Sequence, residues 1–517
     1  MTRPLAIVIA LGLSACQPPE HRLLRINDAA IGELDPHKAS DYADSILMMN
    51  VYDFLVRTAP DGSVVADLAA EWIVDDDGRT YTFSLRDGAR FHDGSEVDAS
   101  DVVFSVERIT RLERGYSYLL PELDSVSALD PRRVRFVLKE PFAPFVASLT
   151  RVAIVNRERV EGEHETFLST EEAGSGAYEV VSHDPRELTL LHRSPAHHQP
   201  FAPGAPEIVR IKYSMAVPTV RALMARGEHE LTRLSMPPEV LRAVAKSPDI
   251  DLAHDRGTTS FFILLNTQRP PTDDVHFRRA LALAFDYEAV LQLLRVDEDF
   301  ANGAPSRGPI PPRLLGHDPL APFPERDLES ARRELALSRY APDEHPVEIQ
   351  WVSEVGNTER VSLLFQQNMA AIGVRVEIVG APWALVLDRA SRAEMTPHAN
   401  TVDVSAYTPD PDSILTAMFH SASAGSWSSM SWLDDPDIDA RIEEGRALLD
   451  RGERERHYRE LNRDLVALQP AIFGYRTATV VAKQRFVKAP QLDDPSRAIP
   501  TTGGNYLFRE YSLDPPP

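Results

Sequence analysis

The chain has 517 residues, with 55 Lys and Arg against 78 Asp and Glu, a formal charge of −23. So acidic a body repels phosphate backbones, which sets it against nucleic acid as a partner. The length corresponds to about three domains, and the single cysteine, Cys16, rules out an internal disulfide.

The chain begins MTRPLAIVIALGLSACQPPE. Arg3, the apolar run Leu5 to Leu13 and the small residues Ser14 and Ala15 are the three parts of a secretory signal. The run is too short to span a bilayer, which takes about 20 apolar residues. Leu13-Ser14-Ala15-Cys16 resembles the bacterial lipoprotein box, in which the cysteine is acylated and becomes the new N-terminus. The plainer alternative is an ordinary signal with a chance cysteine. The expected division is a leader over 1–15, lipidation at Cys16 and a polar tether over 16–20. The body would then lie on the periplasmic or cell-surface side of the envelope, anchored to a membrane by lipid. Gln17 lacks the aspartate associated with inner-membrane retention, so the leaflet stays open.

Downstream, strand and helix patterns alternate. Leu23 to Asn27 reads as a strand, and Ile46, Val51, Phe54 and Leu55 form a helical stripe. Tyr81, Phe83 and Leu85 alternate with polar residues, as do Val134, Phe136 and Leu138. Between them, Ser100 is placed to cap a helix carrying Val102, Val106 and Ile109. Phe261 to Leu265 is short enough to be a buried strand, and Asp274 can cap one helix carrying Phe277, Leu281, Phe285 and Leu291. A further helix ends at Gly373, and Val374, Val376 and Ile378 then alternate. Two more helices are expected near 438–449 and 453–468. The alternation predicts α/β lobes with helix-covered sheets.

Five blocks carry a resemblance. Ala69-Ala70-Glu71-Trp72-Ile73 with Tyr81 to Gly94 is the first, continued by Asp101-Val102-Val103-Phe104-Ser105. Gly174-Ser175-Gly176-Ala177-Tyr178 follows, then Asn266-Thr267 with the helix from Asp274 to Val290, and Tyr407-Thr408-Pro409-Asp410-Pro411-Asp412-Ser413. In order and spacing they resemble the family 5 extracellular solute-binding proteins, the peptide and nickel receptors of ABC importers. The resemblance implies a class II periplasmic-binding-protein-like α/β fold, with two lobes, a hinge and an inserted α/β domain. Carried over, lobe I takes 21–52, 172–265 and 487–517, the insertion 53–171, and lobe II 266–486. The hinge strands then fall near 264–267 and 479–483.

The implied function is capture of a peptide between the lobes and delivery to a permease and ATPase, by a monomer without cofactor. Another polar solute, such as a sugar derivative or metal chelate, is the alternative within the class. Peptide-binding relatives pair the ligand's amino terminus with an aspartate where this chain has Tyr407, which brings no charge. Asp403 and Asp410 are the nearest carboxylates that could substitute, although Asp410 and Asp412 are most simply turn and cap residues. Trp351 and Trp383 could wall the cleft or sit in a core. Thr258, Thr259 and Ser260 could offer hydroxyls, and Asp35-Pro36-His37 lies where the family begins a cleft-facing loop.

No enzyme motif is found, so a secreted hydrolase is the reading set aside. Gly227-Glu228-His229-Glu230 lacks the second histidine of a zinc protease, and no Gly-x-Ser-x-Gly elbow occurs. His183, His192, His197 and His198 show no ligand spacing with cysteine or carboxylate. They read as surface histidines of an irregular segment, and no metal centre is expected.

Overall fold

The alternation of apolar residues along each strand sorts the chain into three main sheets. The computed structural model describes residues 22–233, 236–353 and 355–514. The leader, Cys16 and the tether lie outside the described residues.

The first sheet has seven strands, in the order Ile250–Asp255, Thr479–Gln484, Leu231–Thr232, Leu23–Asp28, Ile208–Tyr213, Leu188–Arg193, Tyr178–Asp184. The second has six, in the order Gly303–Pro305, Ala471–Thr477, Ser260–Leu265, Ala399–Val404, Val347–Val352, Val376–Ala381. Ser260–Leu265 is buried at every position. Phe261, Ile263 and Leu265 enter one core and Phe262 and Leu264 another, so the second sheet is covered on both faces.

A third, four-stranded antiparallel sheet runs Ala69–Val74, Thr80–Leu85, Arg133–Leu138, Leu123–Asp130. It shares a core with the helix Ala99–Leu112 through Val102, Val106 and Ile109. The cap of that helix is Asp98, not Ser100. Asp98 Oδ1 accepts from Ser100 N and Asp101 N, and Asp101 Oδ2 accepts from Asp98 N, which closes a capping box. This unit leaves and rejoins the chain at one place: Ile154 N donates to Asp53 O at 3.0 Å, and Phe54 bridges Ala153.

The chain passes between the two large sheets twice among the described residues. One crossing is 256–259, between Ile250–Asp255 and Ser260–Leu265, and the other is Ala478, between Ala471–Thr477 and Thr479–Gln484. Thr477 N donates to Thr259 O at 2.8 Å and ties them together. The boundaries drawn at 265 and 486 are corrected by this. The strand from 260 belongs with the second sheet and the strand from 479 with the first. A short, wholly apolar strand suits any doubly covered sheet, so its composition cannot say which one it joins.

Two local features also differ. The helix capped by Asp274 stops at Ala284, and Asp286 caps a separate helix, Tyr287–Leu293. The stripe from Ile46 ends with the helix Tyr42–Val51, before Phe54. Gly174-Ser175-Gly176 is glycine-rich because it lies against the end of that helix. A Cβ on Gly174 would meet Val51 O at 2.1 Å, and one on Gly176 would meet Val51 C at 2.5 Å.

Candidate functional site

The strands Val347–Val352 and Ala399–Val404 run parallel, and Ser260–Leu265 runs antiparallel to the latter. Trp351, Asp403, Ser405, Tyr407 and the start of the strand at Ser260 therefore gather at one end of the second sheet. Trp383 joins them just after the parallel strand Val376–Ala381. That end faces the crossings. A cavity there is lined by Gly257, Thr258, Thr259, Thr477 and Thr479, and by Tyr42 and Thr501 to Gly503 of the first unit. Ligands of α/β sheets bind at such carboxyl ends.

Asp403 is an open carboxylate of this region. Its side chain is exposed, yet protein surrounds it and desolvation pushes its carboxyl up to about 6, against the bond from Thr477. Thr477 Oγ1 donates to Asp403 Oδ1 at 3.1 Å. Accessible surface and deep desolvation coexist where water reaches a group only through a cleft. Tyr118 has the same character: it is 51% exposed, and burial still raises its phenol.

Tyr407 is half-buried. Its ring lies 5.3 Å from that of Tyr116, and Tyr116 lies 6.4 Å from Tyr118. Arg151 spans the gap, donating from Nε to the Tyr407 carbonyl and from Nη2 to Thr502 O at 2.9 Å. Thr258 Oγ1 accepts from Ala406 N at 3.0 Å and holds the same loop to the first crossing. Thr259 Oγ1 and Ser405 Oγ are 2.7 Å apart. Opposite them, the Tyr42 ring packs 4.1 Å from the Arg233 guanidinium, and Tyr42 Oη donates to Asp255 Oδ2 at 3.3 Å. Exposed Asp41 acts on the Tyr407 phenol electrostatically.

The sequence-predicted residues divide. Asp403, Thr259 and Tyr407 meet at the crossings. Ser260 is buried there, its hydroxyl without a hydrogen-bond partner. Trp351 is half-buried against Gly380, and Trp383, 37% exposed, stands edge-on to Trp427 at 5.5 Å. Asp410 and His37 are corrected. Asp410 is buried in a two-bond ion pair with Arg454. His37 has no exposed surface. Its Nδ1 accepts from Arg108 Nη1 and its Nε2 donates to Ala153 O, both at 2.9 Å, while Arg108 also pairs with Asp35. These residues join the first unit to the inserted one. Sequence reasoning missed Asp41, Tyr42, Tyr118 and Arg151, none of which stands in a recognisable motif.

The histidines are corrected as well. His183 and His192 lie on the strands Tyr178–Asp184 and Leu188–Arg193. The side chains of His197 and His198 are only 2% and 4% exposed.

Among the described residues no helix is long and apolar enough to cross a membrane. The chain is 28% identical to Di/tripeptide-binding protein 2 of Pseudomonas aeruginosa, over 88% of this chain and 90% of that protein. It is 24% identical to the probable D,D-dipeptide-binding periplasmic protein DdpA of Escherichia coli, over 93% and 94%. In fold it matches the ABC transporter-associated periplasmic binding protein DppA from Helicobacter pylori, solved with the peptide STSA, at a TM-score of 0.79 and 22% identity over 95% and 98% of the two chains. Residues 63–426 match the bacterial extracellular solute-binding proteins, family 5. With most of its length so matched and its sheets arranged as in a periplasmic binding protein, this chain belongs to that family.

Proposed function

We propose that the chain is the substrate-binding subunit of an ABC importer and captures short peptides between its two large sheet units. The two crossings at 256–259 and 478 act as the hinge. Ligand bridges the two sides and favours the closed state through its higher affinity for it. The closed, loaded form then engages the permease and its ATPase. The role is binding and closure, without turnover. Cys16 carries the lipid that holds the body outside the cytoplasm.

Asp403 carries this reading. An accessible carboxylate held at about 6 by desolvation is short of a cation, and a peptide's ammonium supplies one. Asp41, beside Tyr407, offers a second charge. Together they replace the carboxylate that peptide-binding relatives place at position 407. The relatives named for di- and tripeptides support the same class of ligand.

A thermal-shift screen with di- and tripeptides, their N-acetylated forms, sugars and nickel chelates tests it. A ligand specific to the folded state adds about 2.7 kcal/mol at 100 times Kd. Free peptides are expected to raise the melting temperature and acetylated ones to lose most of the effect. A response to sugars or chelates alone would overturn the peptide assignment.

A further inference from the structure

Asp53, His197 and His198 form a second polar cluster, buried where the inserted unit joins the first sheet. His197 Nε2 is 3.2 Å from Asp53 Oδ1, and His198 Nδ1 is 3.5 Å from Asp53 Oδ2. One donor atom from each of the three residues lies within 4.8 Å of the others. A tetrahedral zinc bound at about 2.0–2.2 Å spaces its ligand atoms roughly 3.3–3.6 Å apart.

The outer contacts run through Gln199. His197 Nδ1 is 3.3 Å from Gln199 O and 3.4 Å from Gln199 N, and His198 Nε2 is 3.3 Å from Gln199 Nε2, which also donates to Asp67 Oδ1. Ser175 Oγ donates to Asp53 Oδ2 at 2.9 Å, and Phe54 N to Asp67 Oδ2 at 3.4 Å. A carbonyl partner such as Gln199 O fixes the orientation of a metal-bound imidazole.

Two carboxylates, Asp53 and Asp67, are buried against two imidazoles whose rings are 4.5 Å apart.

We propose that Asp53, His197 and His198 bind one zinc-class divalent cation. Two imidazoles with one carboxylate suit zinc before magnesium or calcium. A cavity lined by Asp53, Asp67, His197, Arg57 and Thr58 adjoins the cluster. The ion pins the segment after the strand Leu188–Arg193 to the first residues of the inserted unit.

The test is zinc titration of the purified, chelator-stripped chain by calorimetry, with cobalt as a spectroscopic probe. One ion per chain is expected, together with a raised melting temperature and a four-coordinate cobalt spectrum. His198→Gln and Asp53→Asn are each expected to weaken zinc by more than about 100-fold, beyond what loss of an outer partner costs. His192→Gln, outside the cluster, is expected to leave it unchanged. If His198→Gln fails to fold, the wild-type stoichiometry and the cobalt spectrum decide. Binding below one ion per chain, or an affinity unmoved by His198→Gln, overturns the site. Peptide shifts measured on the stripped chain report on the importer reading separately.

Discussion

Arg454 holds Asp410 by two hydrogen bonds, Nη1 to Oδ2 at 2.7 Å and Nη2 to Oδ1 at 3.0 Å, with both side chains buried. Asp410 also accepts from Asp412 N at 3.0 Å and so shapes the loop that carries Tyr407. Breaking a buried pair from one side leaves an unpaired charge and costs about 3–5 kcal/mol. Asp410→Asn is expected to lose that much in urea denaturation. Peptide affinity of the folded protein is expected to stay within a few-fold, since the carboxylate faces Arg454 and not the cleft.

Asp403 is expected to behave in the opposite sense. Its folded pKa of about 6 lies above the ordinary carboxylate value of 3.8. The native state therefore holds more protons than the unfolded chain between about pH 4 and 6, and this group favours folding more as the pH falls through 6. Asp403→Asn should raise the melting temperature at pH 7.5 and have little effect at pH 4.5. The same change should weaken free dipeptides at pH 7.5 by tenfold or more while sparing N-acetylated ones. Equal losses for both peptide forms would show that Asp403 does not receive the ammonium.

His37 gives a third outcome. Burial, reinforced by Arg108, lowers its pKa from 6.5 to about 4. The unfolded chain binds the extra proton between those values, so the stability His37 contributes is present above about 6.5 and is lost as the pH falls toward 4. His37→Asn is expected to destabilise the protein more at pH 7 than at pH 5. A pH-independent difference between the two proteins in calorimetry would contradict the buried neutral imidazole.

Cys16 is tested in cells. Cys16→Ser is expected to abolish labelling by a radioactive fatty acid and to move the protein from the membrane to the soluble fraction. The thermal shift with peptide should be unchanged, because the lipid and the cleft are independent.

Much of the strand pattern could be read in advance. Tyr81, Phe83 and Leu85 alternate into one core as their spacing requires. The cap at Asp274 and the turn at Gly373 stand where the local signals put them. Local signals failed where two nearby residues compete for one role, as with Ser100 and Asp98, or where one polar residue divides a continuous stripe, as Asp286 does. Of the cleft, the sequence reached Asp403, Thr259 and Tyr407 through their positions beside recognised blocks. It could not reach Tyr42, Tyr118 or Arg151, whose relevance depends on interactions with residues hundreds of positions away.

The sequence by itself determined the family blocks, the apolar faces of most strands and helices, and the glycines that a close backbone approach demands at 174 and 176. These follow from local rules of period, capping and steric room. Only the tertiary structure decided that Asp410 is spent on Arg454 while Asp403 stays open, that His37 is sealed beneath the inserted unit, and that His197 and His198 meet Asp53. It also decided which sheet takes the strand Ser260–Leu265. A carboxylate or an imidazole looks the same in sequence whether it is paired or free. What separates the two cases is desolvation and a partner far along the chain, and both exist only once the chain has folded.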